Sequence, residues 1–405
     1  MSVGTDTTST TTDTTDTTGT AATGTAATGT AVAGTAAATG TAAATGTSVD
    51  VRIMTRAELA LRGIRQDVEV RRPDGAGPSD DGHVLVDGAN AALPRNPDSP
   101  YTVRDGKVWL GDESGILTDT GLSLTPVRRP RFYDLTTADG VRYEEIARLH
   151  GSDVLATTVV QTCIRYAESD RCRFCTIEES LRSGATVAAK TPAQLAEVAE
   201  AAVRLNGVRQ MVMTTGTTAG PDRGARNLVR SVRAVLHAVP GLPVQVQCEP
   251  PGDLAWIRAL HDAGATAIGI HVESLDDEVR RRWMPGKSTV PLAEYEAAWD
   301  EAVRIFGPNR VSTYLLVGLG EDPDELVAGA GRLIDRGVYP FVVPFRPMSG
   351  TLAARDGIGA PGAEVLRYVT EGVAAKLRAA GMSGADQKAG CAACGACSVL
   401  RTAGG

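Results

Sequence analysis

VVQTCIRYAESDRCRFCTI, residues 159–177, carries three cysteines, Cys163, Cys172 and Cys175, spaced C-x8-C-x2-C. Thiolates gather in this way to hold a metal ion or an iron–sulfur cluster. Three ligands rather than four leave one coordination position for a substrate, which is the arrangement of a catalytic centre. The stretch follows VLATTVVQ (residues 154–161), an apolar run that reads as a buried strand. The cysteines are therefore predicted on the loop leaving the C-terminal end of a strand, where barrels and open α/β sheets place their chemistry.

Downstream the strand pattern repeats. VRQMVMTTG (208–216), PVQVQCE (243–249), TAIGIHVES (266–274), RVSTYLLVG (310–318) and YPFVVPF (339–345) are strand-like, with helical segments between them. Thr191-Pro192 and Asp322-Pro323 read as N-caps with proline in the first turn, and Gly207, Gly264 and Gly337 stand where helices should end. In TPAQLAEVAEAAVRLNG, Leu195, Val198, Ala199, Ala202 and Val203 recur at helical spacing and form one apolar face. Six β–α units in succession predict a parallel sheet with right-handed crossovers, too few for an eight-stranded barrel. The fold class is thus α/β: a partial (β/α)6 TIM-type barrel over 151–350, with a C-terminal helix and Cys-rich tail over 351–405.

Residues 1–48 are nearly all Thr, Ala, Gly and Asp in a slipping AATGT repeat, with nothing to bury, and predict a disordered tail. Residues 49–150 read as a small α+β accessory domain. It includes a helix at MTRAELALRG (54–63), strand-like HVLVDG and KVWLGD, and a polar loop at 75–83 that either lines a substrate site or is ordinary surface.

Composition narrows the partners. The chain has 405 residues, 42% of them hydrophobic, and a net charge of −7 without a long basic run, which argues against nucleic acid as a partner. The densest basic patch, Arg280-Arg281-Arg282, reads as a solvated helix face or a small-anion contact. No apolar stretch has the ~18 residues of a membrane span, and the start lacks the pattern of a secretory signal. All seven cysteines lie at Cys163 or later and six fall in two triplets, a grouping that suits a reducing, cytoplasmic setting.

With the first triplet placed after the first of six strands, the chain resembles the radical S-adenosylmethionine (SAM) superfamily, Phe174 in CRFC included. The family spacing is C-x3-C-x2-C. Lengthening the first gap to eight residues adds only about 0.9 kcal/mol of loop-closure cost. The resemblance implies a [4Fe–4S] cluster on Cys163, Cys172 and Cys175 whose free iron chelates SAM and whose electron cleaves it to a 5′-deoxyadenosyl radical. On the residues alone, structural zinc with His150 or another fourth ligand is the competing reading, and the β–α context favours the cluster.

The same resemblance implies SAM contacts at the other strand ends. Thr215, Gly216 and Thr217 in TTGTT stand at the second, where the family's acidic residue is absent. Glu273 in HVES ends the fourth, as a contact to the SAM ribose or amino group or as a plain helix cap. Lys287 in MPGKS reads as a partner of the SAM carboxylate or as a solvated lysine, and Gly318 and Gly320 in VGLGE let backbone approach the adenine or simply make a tight turn. VVPFRPMSGT resembles the biotin synthase-like branch, and the ensemble looks most like the radical SAM proteins that accompany a nitrilase in nitrile- and cyanide-utilising gene clusters.

The tail's second triplet, Cys391, Cys394 and Cys397, reads as an auxiliary iron–sulfur cluster, as zinc, or as redox-active thiols, with Cys248 as a candidate fourth ligand. The implied partners are a small-molecule substrate entering the C-terminal mouth, under the accessory domain and the tail, and a low-potential electron donor such as ferredoxin or flavodoxin. The reaction class stays open between sulfur insertion and C–C or C–N bond chemistry. The alternative function is a non-catalytic iron–sulfur or zinc-binding regulatory or scaffold protein on the same barrel.

Overall fold

Apolar residues on both faces force strands into the middle of a layered structure, and the six runs named above pair as that rule requires. The computed structural model describes residues 42–65 and 83–404. The strands of the main sheet are β6 (Arg148–His150), β7 (Val154–Thr158), β8 (Gln210–Thr214), β9 (Val244–Gln247), β10 (Ala267–Gly269), β11 (Val311–Val317) and β12 (Val338–Pro344). They are ordered in space as in sequence. From β7 to β12 every pairing is parallel, and β6 adds one antiparallel edge strand. A half-barrel of six β–α units results.

The crossovers include Pro192–Asn206, Ala225–Ala238, Ala255–Asp262, Leu292–Phe306 and Pro323–Asp335, and Ala363–Ala379 follows the last strand. Local signals set their ends. Thr191 and Gln194 form a reciprocal capping box, Asp322 caps the helix that begins at Pro323, and Gly207 closes the first crossover helix at φ +65°. Leu195, Val198, Ala199 and Ala202 are buried in the main core, with Val203 at its margin.

Residues 83–126 form a separate antiparallel sheet of β1 (His83–Val86), β2 (Ala89–Ala92), β3 (Tyr101–Arg104), β4 (Lys107–Gly111) and β5 (Leu117–Pro126), in the order β2-β1-β5-β4-β3. Helix α1 (Ala42–Arg62) joins it to the barrel. Leu59 enters the small sheet's core, while Ile53, Ala57 and Ala60, at helical spacing, enter the barrel's. Helix α1 begins inside the segment expected to be a disordered tail; the rest of that expectation and most of the 75–83 loop lie outside the described residues. Strand β6 belongs to the barrel sheet, so the barrel begins before residue 151.

The inner face of the half-barrel is polar where its strands alternate. In β9, Val244 and Val246 join the helix-side core, while Gln245 and Gln247 are buried inside and hydrogen-bonded to each other at 2.9 Å. The tail docks on this surface and not over the mouth. Gly390 N donates to Gln210 Oε1 (2.8 Å), Cys391 N to Gln245 Oε1 (3.3 Å), and Ser398 Oγ to the Val342 carbonyl (2.6 Å). The accessory sheet meets it there, with Ala92 N donating to the Ala396 carbonyl at 2.8 Å. Gly390 has φ +111°, and a β-carbon on it would stand 2.2 Å from the Gln245 amide. Gly390→Ala should therefore release the tail, seen as faster hydrogen exchange over 390–400 with little change in the barrel helices.

Candidate active site

Four of the six parallel strands each deliver one piece of the mouth. A cavity of about 210 Å3 is lined by Cys163, Cys172 and Cys175 after β7, and by Thr215, Gly216 and Thr217 after β8. Cys248 and Glu249 follow from β9, His271 and Glu273 from β10, and Lys287 from the short helix Pro285–Ser288. Five of the seven SAM-contact candidates thus share one cavity with the first triplet.

Gly318 and Gly320 lie apart from it. Their positive φ angles serve packing: a β-carbon at Gly318 would strike Pro361, and one at Gly320 the Arg282 guanidinium. Leu319 between them accepts a hydrogen bond from Trp283 Nε1 at 2.6 Å. In the basic patch Arg281 and Arg282 are exposed, as a solvated face requires, but Arg280 is 1% exposed, paired with Asp277 and set over the Tyr295 ring.

The long cysteine spacing has a physical account in the inserted residues. Arg165 reaches Glu249 with both arms, Nε–Oε1 at 2.9 Å and Nη2–Oε2 at 3.1 Å, and also donates to the Gly286 carbonyl. Gly286 N donates to the Asp170 carbonyl at 2.8 Å, and a β-carbon there would stand 2.7 Å from that oxygen. Arg173 N donates to the Trp283 carbonyl, and Phe174 packs 6.4 Å from the Trp283 ring. On the other side, Gly216 N donates to Val160 O and Ile164 N to Thr217 O. A β-carbon at Gly216 would stand 2.0 Å from the Thr162 carbonyl oxygen, so the TTGTT turn clamps the base of the cysteine loop.

Glu273 and Lys287 pair with each other at 2.5 Å, both largely buried. Glu273 holds a left-handed φ of +63°, rare for a residue with a side chain, and still bridges to Leu315 of β11. Burial works against the Lys287 ammonium, but Glu273 and other anionic neighbours outweigh it and hold its proton above the usual lysine range. Burial pushes the Cys175 thiol up to about 11 and also holds Cys172 well above the usual thiol range, with Lys287 opposing both shifts. Burial also lowers His271 to about 3, keeping it neutral. Its Nδ1 accepts from Tyr314 N, so Nε2 carries the proton and is buried without a partner.

The donor set fits an iron–sulfur cluster. Buried thiols stay protonated until a cation replaces the proton, and soft sulfur favours iron clusters or zinc. Among the described residues, no three His, Cys, Asp or Glu side chains converge as ligands of a single metal ion. A cluster instead binds each thiolate at a different iron and so takes more widely separated sulfurs.

The second triplet lies deeper. Cys391 Sγ accepts from Tyr314 OH (2.7 Å) and Gln247 Nε2 (3.2 Å). His150 places Nδ1 3.5 Å from Cys394 Sγ and Nε2 3.8 Å from Cys397 Sγ. His150 therefore neighbours the tail's triplet and not the first one, whereas Cys248, the candidate for the tail, lines the first triplet's cavity. Burial raises all three tail thiols, Cys397 to about 12. Sequence reasoning passed over Arg165, Glu249, His271 and Gln247. Glu249 was accessible to the same strand-end logic that found Glu273.

A six-stranded half-barrel with three cysteines after its first strand defines a class of cluster-bearing barrel. Residues 169–330 match the family model of the radical SAM superfamily. The matched segment takes in Cys172 and Cys175 and begins after Cys163. The chain is 26% identical over 216 residues to bacteriochlorophyllide c C-7(1)-hydroxylase of Chlorobaculum limnaeum, covering 49% of this chain and 54% of that protein, so it spans about half the relative's length. Among solved structures, methylornithine synthase (PylB) aligns at 18% identity and TM-score 0.44, over 62% of this chain and 68% of its own. The FeFe-hydrogenase maturase HydG of Carboxydothermus hydrogenoformans aligns at 17% and 0.41, over 58% and 53%. Among the described residues, no helix is long and apolar enough to cross a membrane.

Two substitutions test the frame of this site. Glu273→Gln leaves Lys287 buried without its anion and should cost about 3 kcal/mol in denaturant unfolding, with no recovery in Glu273→Gly, which suits the backbone angle but also lacks the charge. Gly286→Ala should cost about 1–3 kcal/mol and lower iron retention after reconstitution, because the cysteine insertion loses its seat.

Proposed function

We propose that this protein is a radical SAM enzyme acting on a small metabolite, with Cys163, Cys172 and Cys175 holding the catalytic [4Fe–4S] cluster. The observation that carries this reading is that three half-buried thiols line one strand-end cavity together with the Glu273–Lys287 pair. When bound, the cluster supplies a free iron for SAM and the electron that cleaves it to a 5′-deoxyadenosyl radical.

The chain's own residues do the rest. The Lys287 charge favours thiolate over thiol at Cys172 and Cys175. Thr215, Gly216 and Thr217 hold the cysteine loop against β8 and offer hydroxyl and backbone groups to the SAM amino acid moiety. The neutral His271 keeps an N–H donor facing a ligand. Gly318 and Gly320 retain the adenine role only if that group extends beyond the cysteine cavity.

We read the tail triplet as an auxiliary cluster on Cys391, Cys394 and Cys397, with His150 as the adjacent nitrogen donor. The biotin synthase-like branch, and the nitrilase-associated group within it, is the reading supported by the strand-end motifs. The grouped cysteines support a reducing, cytoplasmic setting, and cluster potentials reaching about −700 mV call for a donor such as ferredoxin or flavodoxin.

Anaerobic reconstitution with iron and sulfide, then dithionite and SAM, tests this function. Wild type should form 5′-deoxyadenosine, and Cys172→Ala should lose both that product and about four irons. Full iron loading without SAM cleavage would sink the proposal. Removing residues 391–397 should lower iron from about eight to about four if the second cluster exists.

A further inference from the structure

Lys190 is left without a role by the chemistry above. It stands just before the capping Thr191, its backbone N donates to the Val159 carbonyl at 2.9 Å, and it is 4% exposed. Only five of the chain's 41 basic residues are lysines, and this one and Lys287 are the two buried in the barrel. Lys287 has Glu273. Lys190 Nζ reaches only the side-chain carbonyl of Gln161, at 2.9 Å, and among the described residues no carboxylate pairs with it. Burial lowers its proton affinity to about 7. A buried cation without an anion is unfavourable, and an arriving anion removes most of that cost.

Lys190 and Gln161 line a chamber of about 270 Å3, just under the usual range of about 300–1,000 Å3 for ligand pockets. Arg148 of β6 lines it too, its Nε held by the Glu144 carbonyl at 3.2 Å. The chamber's own carboxylates are already engaged, Glu144 by Arg129 and Arg142 and Glu145 by Arg142. The wall is therefore left with two cations facing polar Thr157, Thr158 and Thr186. Cys391 of the tail lines the chamber as well. Thr214 and Gln247 line this chamber and the cysteine cavity alike, so a two-residue partition separates them.

We propose that this chamber is the substrate site and takes a small metabolite bearing a carboxylate, which Lys190 and Arg148 bind while the rest of the molecule lies toward the Thr214–Gln247 partition. The word substrate rests on the radical SAM reading; the anion site itself does not. Size and charge together select the class: a compact organic anion, with the bond to be altered on the side facing the cysteine cavity.

The test uses the full reconstituted chain labelled with lysine carrying 13C at the ε carbon. Five signals are few enough that Lys190 is identified by its absence in Lys190→Arg. Propionate should shift that signal saturably and propionamide should not. Followed from the ligand side, by broadening of the propionate proton signals, Lys190→Met should weaken propionate binding at least about tenfold, and Arg148→Met by a smaller factor. No saturable response in wild type, or an equal response to propionamide, overturns the proposal whatever the variants do. A stronger response to inorganic phosphate than to propionate overturns the carboxylate assignment. Formation of 5′-deoxyadenosine by the same preparation is read separately. A protein that binds propionate but never cleaves SAM would remove the proposed function and leave the anion site.

Discussion

The buried pair of Glu273 and Lys287 is the interaction on which the mouth of the barrel depends. Glu273 occupies a backbone conformation that resists side chains, yet its amide and carbonyl bond Tyr314 and Leu316 of β11 at 3.0 and 2.9 Å. Its carboxylate holds Lys287, whose neighbour Gly286 receives the carbonyl of Asp170 and the side chain of Arg165. Strand geometry is thereby passed through one ion pair into the cysteine loop. Such a pair adds little net stability over an apolar substitute, but losing one partner is expensive. Its contribution is register: it fixes where the thiols stand relative to the sheet.

The fold was legible because its signals are local and repeated. Apolar runs of strand length, proline after a capping residue and glycine after a helix each act over a few residues, and all six parallel strands follow from them. The first triplet was legible because three thiols in one loop have few uses. Positions set by contacts distant in sequence were not. Lys287 read as a partner for SAM or for solvent, and only the fold shows that Glu273, fourteen residues earlier, takes its charge. His150 is separated from Cys394 by 244 residues, and no spacing rule spans that distance. Gly318 and Gly320 illustrate the converse: the left-handed turn was readable, but the neighbours that occupy the space beside it were not.

Two thiol groups and a polar chamber share one barrel interior, and Gln247 touches all three. Its amide donates to Cys391 and to Gln245, while its side chain lines both cavities. A glutamine suits this place because it carries donors and an acceptor without charge, so it can join the two thiol-rich regions without favouring either electrostatically. The alternation Val-Gln-Val-Gln in β9 separates the core-facing from the interior-facing work of a single strand.

The docking of residues 390–398 on Gln210, Gln245 and Val342 has a consequence for how the protein is made. The tail leaves the ribosome after every strand of the sheet, so the barrel's amides wait, hydrated, until it arrives. Assembly therefore has a fixed order. The mouth, with its loop and its ion pair, is complete while the opposite end still stands open to water. Any cofactor delivered through that end has to be in place before residues 390–398 fold inward.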